Sequence, residues 1–560
     1  MHFMHRYYSY PAEMGFADGL VAQLGAQTGH NNAAFSISGK EGRPHIPIKV
    51  LGGDGQWHPN IIVLADSIAG ESMLYWREHG KLRYGTMEEL FLQYKSHGHN
   101  EFEVLSAAPK KGNKLTRYNT KPIFAEIKNV VYHDFKPTWK ITLHNGKTIE
   151  TTKDHSLFCL DRKKRALESR KLEELPNVIS VDDYEFDGIR HHYNLDTITF
   201  LGLWVADGNY TKTAGEYLTG VSISTGNEIN IINWIKQFCL DRFGYACAAK
   251  SVQTSGDMRI HNRQLAIQVF NEFGQVYSET KRVPEFLFIA SNEEIYAFLK
   301  GYFSGDGSIH NFTSFDPNNP SKQYGPYSVI DCSSINRQLL EDISVLLDRV
   351  GIKHNITTGN KKTGGFESKS ILYKLLIHDR NSVNKFVEKI GFVKQFRYNK
   401  REMYAKGHIK NCISVRGIRS IEYVGLKPVY DISVDKTEAF IANGILCHNS
   451  GNDVTLFTGK DGAVTHLDQK ARAEGSPFPV QGVAANPIKF NMTKTMIQIG
   501  DLKPIEIPLG IEDENPPQLE DTLLGREGCM ERYIVVYTGD RVIFVEKETG
   551  AGCSVGCAKY

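Results

Sequence analysis

Two distant stretches of this chain carry the same signature, and that duplication restricts the fold more than any composition can. FLGLWVADG, Phe200 to Gly208, and LKGYFSGDG, Leu299 to Gly307, each read as an apolar helix ending in Asp-Gly. Asp196 is positioned to cap the first helix, Ser291 and Glu294 form a capping box at the second, and a glycine stops each. YLTGVSISTGNEINIINWIKQFCLDRFG and then VFNEFG follow the first helix, while YSVIDCSSINRQLLEDISVLLDRVG and then KFVEKIG follow the second. A strand, a Ser/Thr-rich turn, an amphipathic helix and a Phe-containing helix thus recur in one order, the mark of an internal repeat. Gly202 with Ala206, and Gly301 with Gly305, lie four apart and so share a helix face. Two such faces allow backbones to approach closely and bring Asp207 and Asp306 together. A pair of carboxylates offers oxygen ligands, which suit Mg²⁺, a cation able to orient water and stabilise charge on a phosphodiester.

A second set of elements brackets the repeat. SIAGESMLYW begins at Ser67, GKTIETTKDHSLF holds a Thr-x-x-His at Thr152 to His155, and KPVYDISVDKTEAFIANG, Lys427 to Gly444, directly precedes ILCHNS, Ile445 to Ser450. The alternation in WKITLHNGKTIETTKDH about an Asn-Gly dipeptide predicts a β-hairpin just before Thr152.

In that order these elements resemble the Hint splicing domain of inteins. Ser67, Gly70, Glu71 and Ser72 fill the opening pattern, followed by the Thr-x-x-His, the Val-Tyr-Asp with its aromatic and Asn-Gly turn, and the His-Asn before a nucleophile. The resemblance implies an all-β, horseshoe-like fold and autocatalytic excision of residues 67–449. A peptide bond is too stable to be exchanged directly, so the route passes through esters of similar energy. The Ser67 hydroxyl attacks the carbonyl of Asp66, Ser450 then takes the acyl group, and Asn449 cyclises on its own carbonyl. Thr152 and His155 are the candidates to activate the first amide, His448 to assist cyclisation and Asp431 to assist branching. Glu438 stands where many inteins carry a His, and Ser72 where the pattern has Thr. Serine at both junctions makes slow oxygen-ester chemistry the expectation. A Hint fold that cleaves without ligating, as in hedgehog-type autoprocessing, is a rival reading, opposed by Ser450 and the long segment after it.

The repeat, roughly residues 190 to 400, resembles the two-motif, single-chain LAGLIDADG homing endonucleases that lodge in inteins. The resemblance implies two αββαββα halves joined by the motif helices, each half offering a sheet to the DNA major groove. Lys281, in KRVPEF, matches a family pattern for an active-site lysine, and Trp204 and Val205 stand where the family often has Ile-Asp. Double-stranded DNA is the implied partner and Mg²⁺ the implied cofactor of a hydrolase bound as a monomer, with splicing needing none. The alternative is a repeat that binds DNA and no longer cuts it. AAKSVQTSGDMRIHNRQ and NKKTGGFESKS are candidate contact stretches, and the loops KKGNKLTRYNTK and DRKKRALESRK can extend the footprint.

The domain order that follows is residues 1–66 as one host segment, 67–185 and 405–449 as the two parts of the splicing domain, 190–400 as the nuclease, and 450–560 as the second host segment. At 560 residues the chain exceeds one core. Excision joins 66 residues to 111, a host product of 177. Runs such as RYIVVYTGDRVIFVEKE make that host β-rich, and no motif names what it does. No apolar run long enough for a membrane span and no leader-like N-terminus is present, so a cytoplasmic setting is expected. Nine cysteines argue for free thiols, and Cys553 with Cys557 lacks the second ligand pair of a zinc site.

Overall fold

The computed structural model describes residues 32–36, 45–51, 55–63, 67–97, 101–396 and 411–448, without 113, 154, 192, 214–216, 227, 246–248, 253–254, 275, 317–318 and 360–370. It also describes the strands at 455–457, 478–480, 488–499, 505–512, 533–538 and 541–546. Asp66, Asn449, Ser450, Cys553, Cys557 and the stretch NKKTGGFESKS lie outside the described residues.

The duplication is realised element by element. The first copy runs helix Leu195–Asp207, strands Gly208–Lys212 and Leu218–Ser224, helix Ile229–Phe243, strands Ala249–Val252 and Ser255–Ile260, and helix Arg263–Phe273. The second runs helix Asn292–Gly305, strands Gly307–Asp316 and Asn319–Ser334, helix Arg337–Arg349, strands Asn355–Thr358 and Tyr373–Ile377, and helix Arg380–Lys389. Both four-stranded sheets are antiparallel and place the last two strands of the copy in reversed order. Each copy is therefore αββαββα.

The two opening helices pack on each other through their small residues. A Cβ on Gly202 would stand 2.2 Å from the Phe298 carbonyl oxygen, and one on Gly301 would stand 2.0 Å from that of Thr199. Only hydrogen fits at either place. Trp204, Phe298, Tyr302 and Phe303 are fully buried around this contact, each aromatic contributing roughly 1.5–3 kcal/mol or more by leaving water. The helix starts differ from expectation at one end. The first is capped by Asn194, whose side chain accepts from the Asp196 amide at 2.7 Å, so Asp196 sits in the first turn, where its charge favours the helix dipole. The second carries the Ser291–Glu294 capping box. The stops also differ: Gly208 caps the first helix, but Asp306 itself, still near helical geometry, caps the second.

The flanking parts form a 13-stranded sheet with one α-helix, Met87–His97, and a short 3-10 turn, Leu172–Glu174, among the described residues. Its spine is a pair of long antiparallel strands, Thr120–Leu143 and Ile418–Val434, paired from Ile418 opposite Leu143 to Val434 opposite Ile127 with four register shifts between. At the Asn-Gly turn, Gly146 adopts φ 88°, a left-handed conformation that glycine takes at no steric cost, and the Leu143 amide closes the hairpin on Lys147 O at 2.9 Å. The chain leaves this sheet after strand Val178–Val181 and returns on Ile413–Arg416. These two strands pair with each other, so the ends of the insertion are zipped together. Trp76, Phe102, Leu143, Ile149 and Phe440 fill the core beneath.

Strands from before residue 67 and after residue 449 share two further sheets. Asn32–Ser36 pairs with Arg541–Glu546, and His45–Leu51 with Ile488–Ile499. The described elements before residue 67 and after residue 449 are all strands, as RYIVVYTGDRVIFVEKE predicts. No helix among the described residues is long and apolar enough to cross a membrane. Cys159, Cys239, Cys332, Cys412 and Cys447 are buried free thiols.

Candidate active sites

Ser67 is completely buried and both its backbone groups are held by one residue. Its N–H donates to Thr152 Oγ1 at 3.0 Å, and its carbonyl accepts from the Thr152 amide at 2.9 Å and the Thr152 hydroxyl at 3.3 Å. The Ser67 nitrogen is the one that must leave in the expected first step, and it is fixed against a hydroxyl. The Ser67 Oγ itself has no hydrogen-bond partner among the described residues. Local sequence explains the arrangement. Ile68 pairs with Thr151, so the strand Thr148–Thr151 runs out beside Ser67 and delivers Thr152 next. The His155 amide then closes a turn on Thr152 O at 3.2 Å, which keeps the buried imidazole in the same turn.

Asp431 arrives from the opposite side. Val429 pairs with Ala69 and Tyr430 with Ile68, so continuing this antiparallel register by one residue sets the buried Asp431 across from Ser67. Gly70 is required by the same strand, because a Cβ there would stand 2.6 Å from the Tyr430 ring. Glu71 points outward to Lys427 at 3.0 Å, and Ser72 is buried.

His448 ends the strand Ile445–His448, whose Cys447 pairs with Leu157 on the strand that follows His155. Its ring lies 5.5 Å from that of Phe158. Ala439 is its partner across the hairpin, which brings the neighbouring Glu438 carboxylate to 4.0 Å from Nε2. Glu438 has φ 49°, a conformation uncommon for a side-chain-bearing residue. The residue that departs from the family pattern is thus the one beside the penultimate histidine.

In the repeat, the paired helices end with Asp207 and Asp306 together: a Cβ on Gly305 would stand 2.9 Å from Asp207 Oδ2. Burial, and then the charge of Asp207, push the Asp306 carboxyl up to about 7 against the pull of Lys281 and Lys394. Burial likewise raises Asp207, with the same two lysines opposing. Lys281 is buried, donates to Trp204 O at 3.1 Å and Gly208 O at 2.7 Å, and burial lowers it to about 8 against the pull of Asp306 and Asp207. Lys394 does the matching work in the second copy, donating to Gly305 O at 3.2 Å. Sequence reading missed Lys394, because GFVKQF lacks the Lys-x-Val-Pro pattern. Its place after the last helix of its copy, as Lys281 follows the last helix of the first, was the available signal. The two carboxylates brought together in this buried site offer the oxygen donors that a hard divalent cation takes, and Lys281 and Lys394 stand beside them.

The basic stretches divide. Lys250 and Arg259 lie on sheet strands of the first copy. In DRKKRALESRK, by contrast, Arg170 reaches Asp161 at 3.2 Å and Lys164 reaches Glu168 at 2.8 Å, so part of that charge is neutralised internally.

A family model described as the intein splicing domain matches residues 80–449, well over half of the chain. A DNA polymerase of Thermococcus hydrothermalis is 26% identical over 433 residues, a match covering 71% of this chain and 24% of that protein. The chain therefore spans about a quarter of the length of such curated relatives. Among solved structures, a DnaB intein from Synechocystis is similar at 9% identity and TM-score 0.21, covering 69% of this chain and 98% of its own. The homing endonuclease I-DmoI is similar at 22% identity and TM-score 0.25, covering 35% of this chain and 92% of its own.

Proposed function

The chain belongs to the intein splicing family, and from that premise we propose that residues 67–449 excise themselves and join residue 66 to residue 450. The observation that carries the reading is the double hold of Thr152 on the Ser67 backbone, with His155 in the same turn and Asp431 across the sheet. Ser67 Oγ attacks the carbonyl carbon of Asp66. The carbon–nitrogen bond breaks, and His155 carries the hydroxyl proton to the departing amine, leaving an ester. Ser450 Oγ attacks the same carbon and Ser67 leaves with a proton. The Asn449 side-chain nitrogen then attacks its own carbonyl carbon and the Ser450 nitrogen leaves as an amine, with His448 donating to that carbonyl. The freed amine takes the acyl group from Ser450 Oγ and restores an amide. Thr152 contributes by fixing the backbone of Ser67, holding the scissile nitrogen through its N–H and the adjoining carbonyl through two donors, so that the bond to be exchanged sits in one place beside His155.

Hydroxylamine tests the first step, since it cleaves esters and spares amides. Added to the Asn449→Ala precursor, it releases residues 1–66, and Ser67→Ala abolishes the release. A folded Asn449→Ala precursor inert to hydroxylamine overturns the reading.

The repeat is read as a site-specific endonuclease acting on double-stranded DNA. Asp207 and Asp306 would hold a divalent cation such as Mg²⁺, which supplies charge neutralisation at a phosphodiester and a more acidic water. Lys281 and Lys394 keep two positive charges beside the carboxylates, suited to the anionic transition state of phosphodiester cleavage. The sheets of the two copies, being alike in strand order, suit a pseudo-symmetric duplex. A duplex encoding the uninterrupted host junction IIVLADSGNDV, incubated with the protein and Mg²⁺, is expected to be cut in both strands. Retention of the duplex in a gel without cleavage supports the binding-only alternative instead.

A further inference from the structure

One buried ion pair crosses between the splicing sheet and the second copy of the repeat. Lys147 Nζ, at the Asn-Gly turn of the splicing hairpin, lies 2.7 Å from Asp348 Oδ2, near the end of helix Arg337–Arg349. Their side chains are only 8% and 3% exposed. Lys147 also donates to Ser180 Oγ at 3.1 Å and Val181 O at 2.8 Å and lies 3.6 Å from Asp182, which Arg416 approaches at 3.7 Å. Two basic and two acidic side chains thus meet in one buried cluster, balanced once Asp348 is ionised, and Asp348 is the member contributed by the repeat.

The cluster sits where both catalytic strands begin. Lys147 leads into Thr148–Thr151, which ends at Thr152. Gly444 leads into Ile445–His448, and a Cβ on Gly444 would stand 2.8 Å from Lys147 Nζ and 3.2 Å from Asp348 Oδ2. The Gly444 carbonyl accepts from the Val181 amide at 2.9 Å, and Asn443 Nδ2 donates to Thr148 O at 3.1 Å, tying the two turns together. The repeat grips the same turn twice more, through the Ile356 amide on Asn145 O at 2.8 Å and Arg337 on Gly146 O at 3.4 Å. Beside the pair the interface opens into a cavity of about 590 Å³ that reaches Ser72 and Asn443.

We propose that Asp348, a residue of the nuclease repeat, is a positioning residue of the splicing centre, acting through Lys147 to hold the strands that present Thr152 and His448. The inference rests on the splicing reading and deepens it: the splicing sheet is electrostatically complete only with the repeat docked. Removing one carboxylate leaves Lys147 and Arg416 sharing Asp182, an excess buried positive charge, whereas removing both members of the pair leaves none.

The test is a double-mutant cycle on the full chain, following the rate of ligated product by intact mass. Asp348→Asn and Lys147→Met are each expected to slow splicing tenfold or more, and Asp348→Asn with Lys147→Met to recover to within about threefold of wild type, because coupled sites are not additive. A merely structural loss at two sites would multiply rather than recover. If wild type splices and Asp348→Asn splices as fast, or the double variant is as slow as the product of the singles, the inference is overturned. If wild type yields no ligated product, it is the splicing reading that fails. Should Asp348→Asn not fold, the double variant, which strands no charge, decides alone.

Discussion

Ser67 meets Thr152 and Asp431 across a sheet whose strands come from both sides of a long insertion, whereas Asp207 and Asp306 meet because one helical unit occurs twice. The first centre is built of hydroxyls and backbone hydrogen bonds that fix an amide. The second is built of like charges forced together by glycine contacts and offset by lysines. Covalent acyl exchange needs a held bond and a nearby proton carrier. Phosphodiester hydrolysis needs concentrated charge. The contrast teaches that one chain can keep two clusters separate by assembling one from strand register and the other from helix packing.

The sharpest way to break this comparison is to disable one centre and read both. Asp306→Asn is expected to lower DNA cleavage by on the order of 10³-fold, as loss of a main charge-stabilising group does, and removal of divalent cation with EDTA to abolish it. Ligation should be unchanged in both cases. Splicing that fails with Asp306→Asn would show the centres to be one.

Thr152→Val is the reciprocal change. Losing a buried partner of the Ser67 amide costs about 1–3 kcal/mol, so hydroxylamine-sensitive ester should form about ten- to a hundredfold more slowly, with DNA cleavage intact. An unchanged rate would remove Thr152 from the site.

How much of this was legible in the sequence follows from the same contrast. The repeat was readable because helix period, capping and glycine spacing are local signals, and the second copy checks the first. Thr152 and His155 were singled out by the resemblance of their Thr-x-x-His to the splicing pattern, and the Asn-Gly turn placed them just after a hairpin. Lys394 escaped because its local string carries no motif and only its place in the repeat marks it. Asn194 took the cap from Asp196 because either residue can accept the bond and the backbone entry angle chose. The approach of Glu438 to His448, and of Asp348 to Lys147, depends on strand register and on the docking of two units, which no local pattern encodes.

A smaller effect concerns pH. Burial pushes the Asp348 carboxyl up to about 7, with Lys147 opposing and Asp182 adding to the rise. Asp306 is raised to the same region by burial and Asp207. Each keeps its proton in the fold at pH values where the unfolded chain, with an ordinary carboxyl near 4, has lost it. The folded state then binds more protons between about 4 and 7, so these groups make stability fall as pH rises through that window and leave it level above. Urea unfolding of wild type against Asp348→Asn, at pH 5 and pH 7.5, should show wild type losing ground to the variant at the higher pH. A difference independent of pH would contradict the burial account.

Glu438→Gln is expected to change least. Its carboxylate is mostly exposed, and such pairs contribute roughly 0.2–1 kcal/mol, so cleavage at Asn449 should slow by no more than about fivefold. A loss of a hundredfold would promote Glu438 from neighbour to essential partner of His448.

The most direct measurement is the intact mass of the expressed 560-residue chain, wild type beside Asn449→Ala. Wild type should yield a ligated product joining residues 1–66 to 450–560 and an excised fragment of residues 67–449, while Asn449→Ala should yield neither. Unchanged precursor in both, from folded protein, would contradict the central claim.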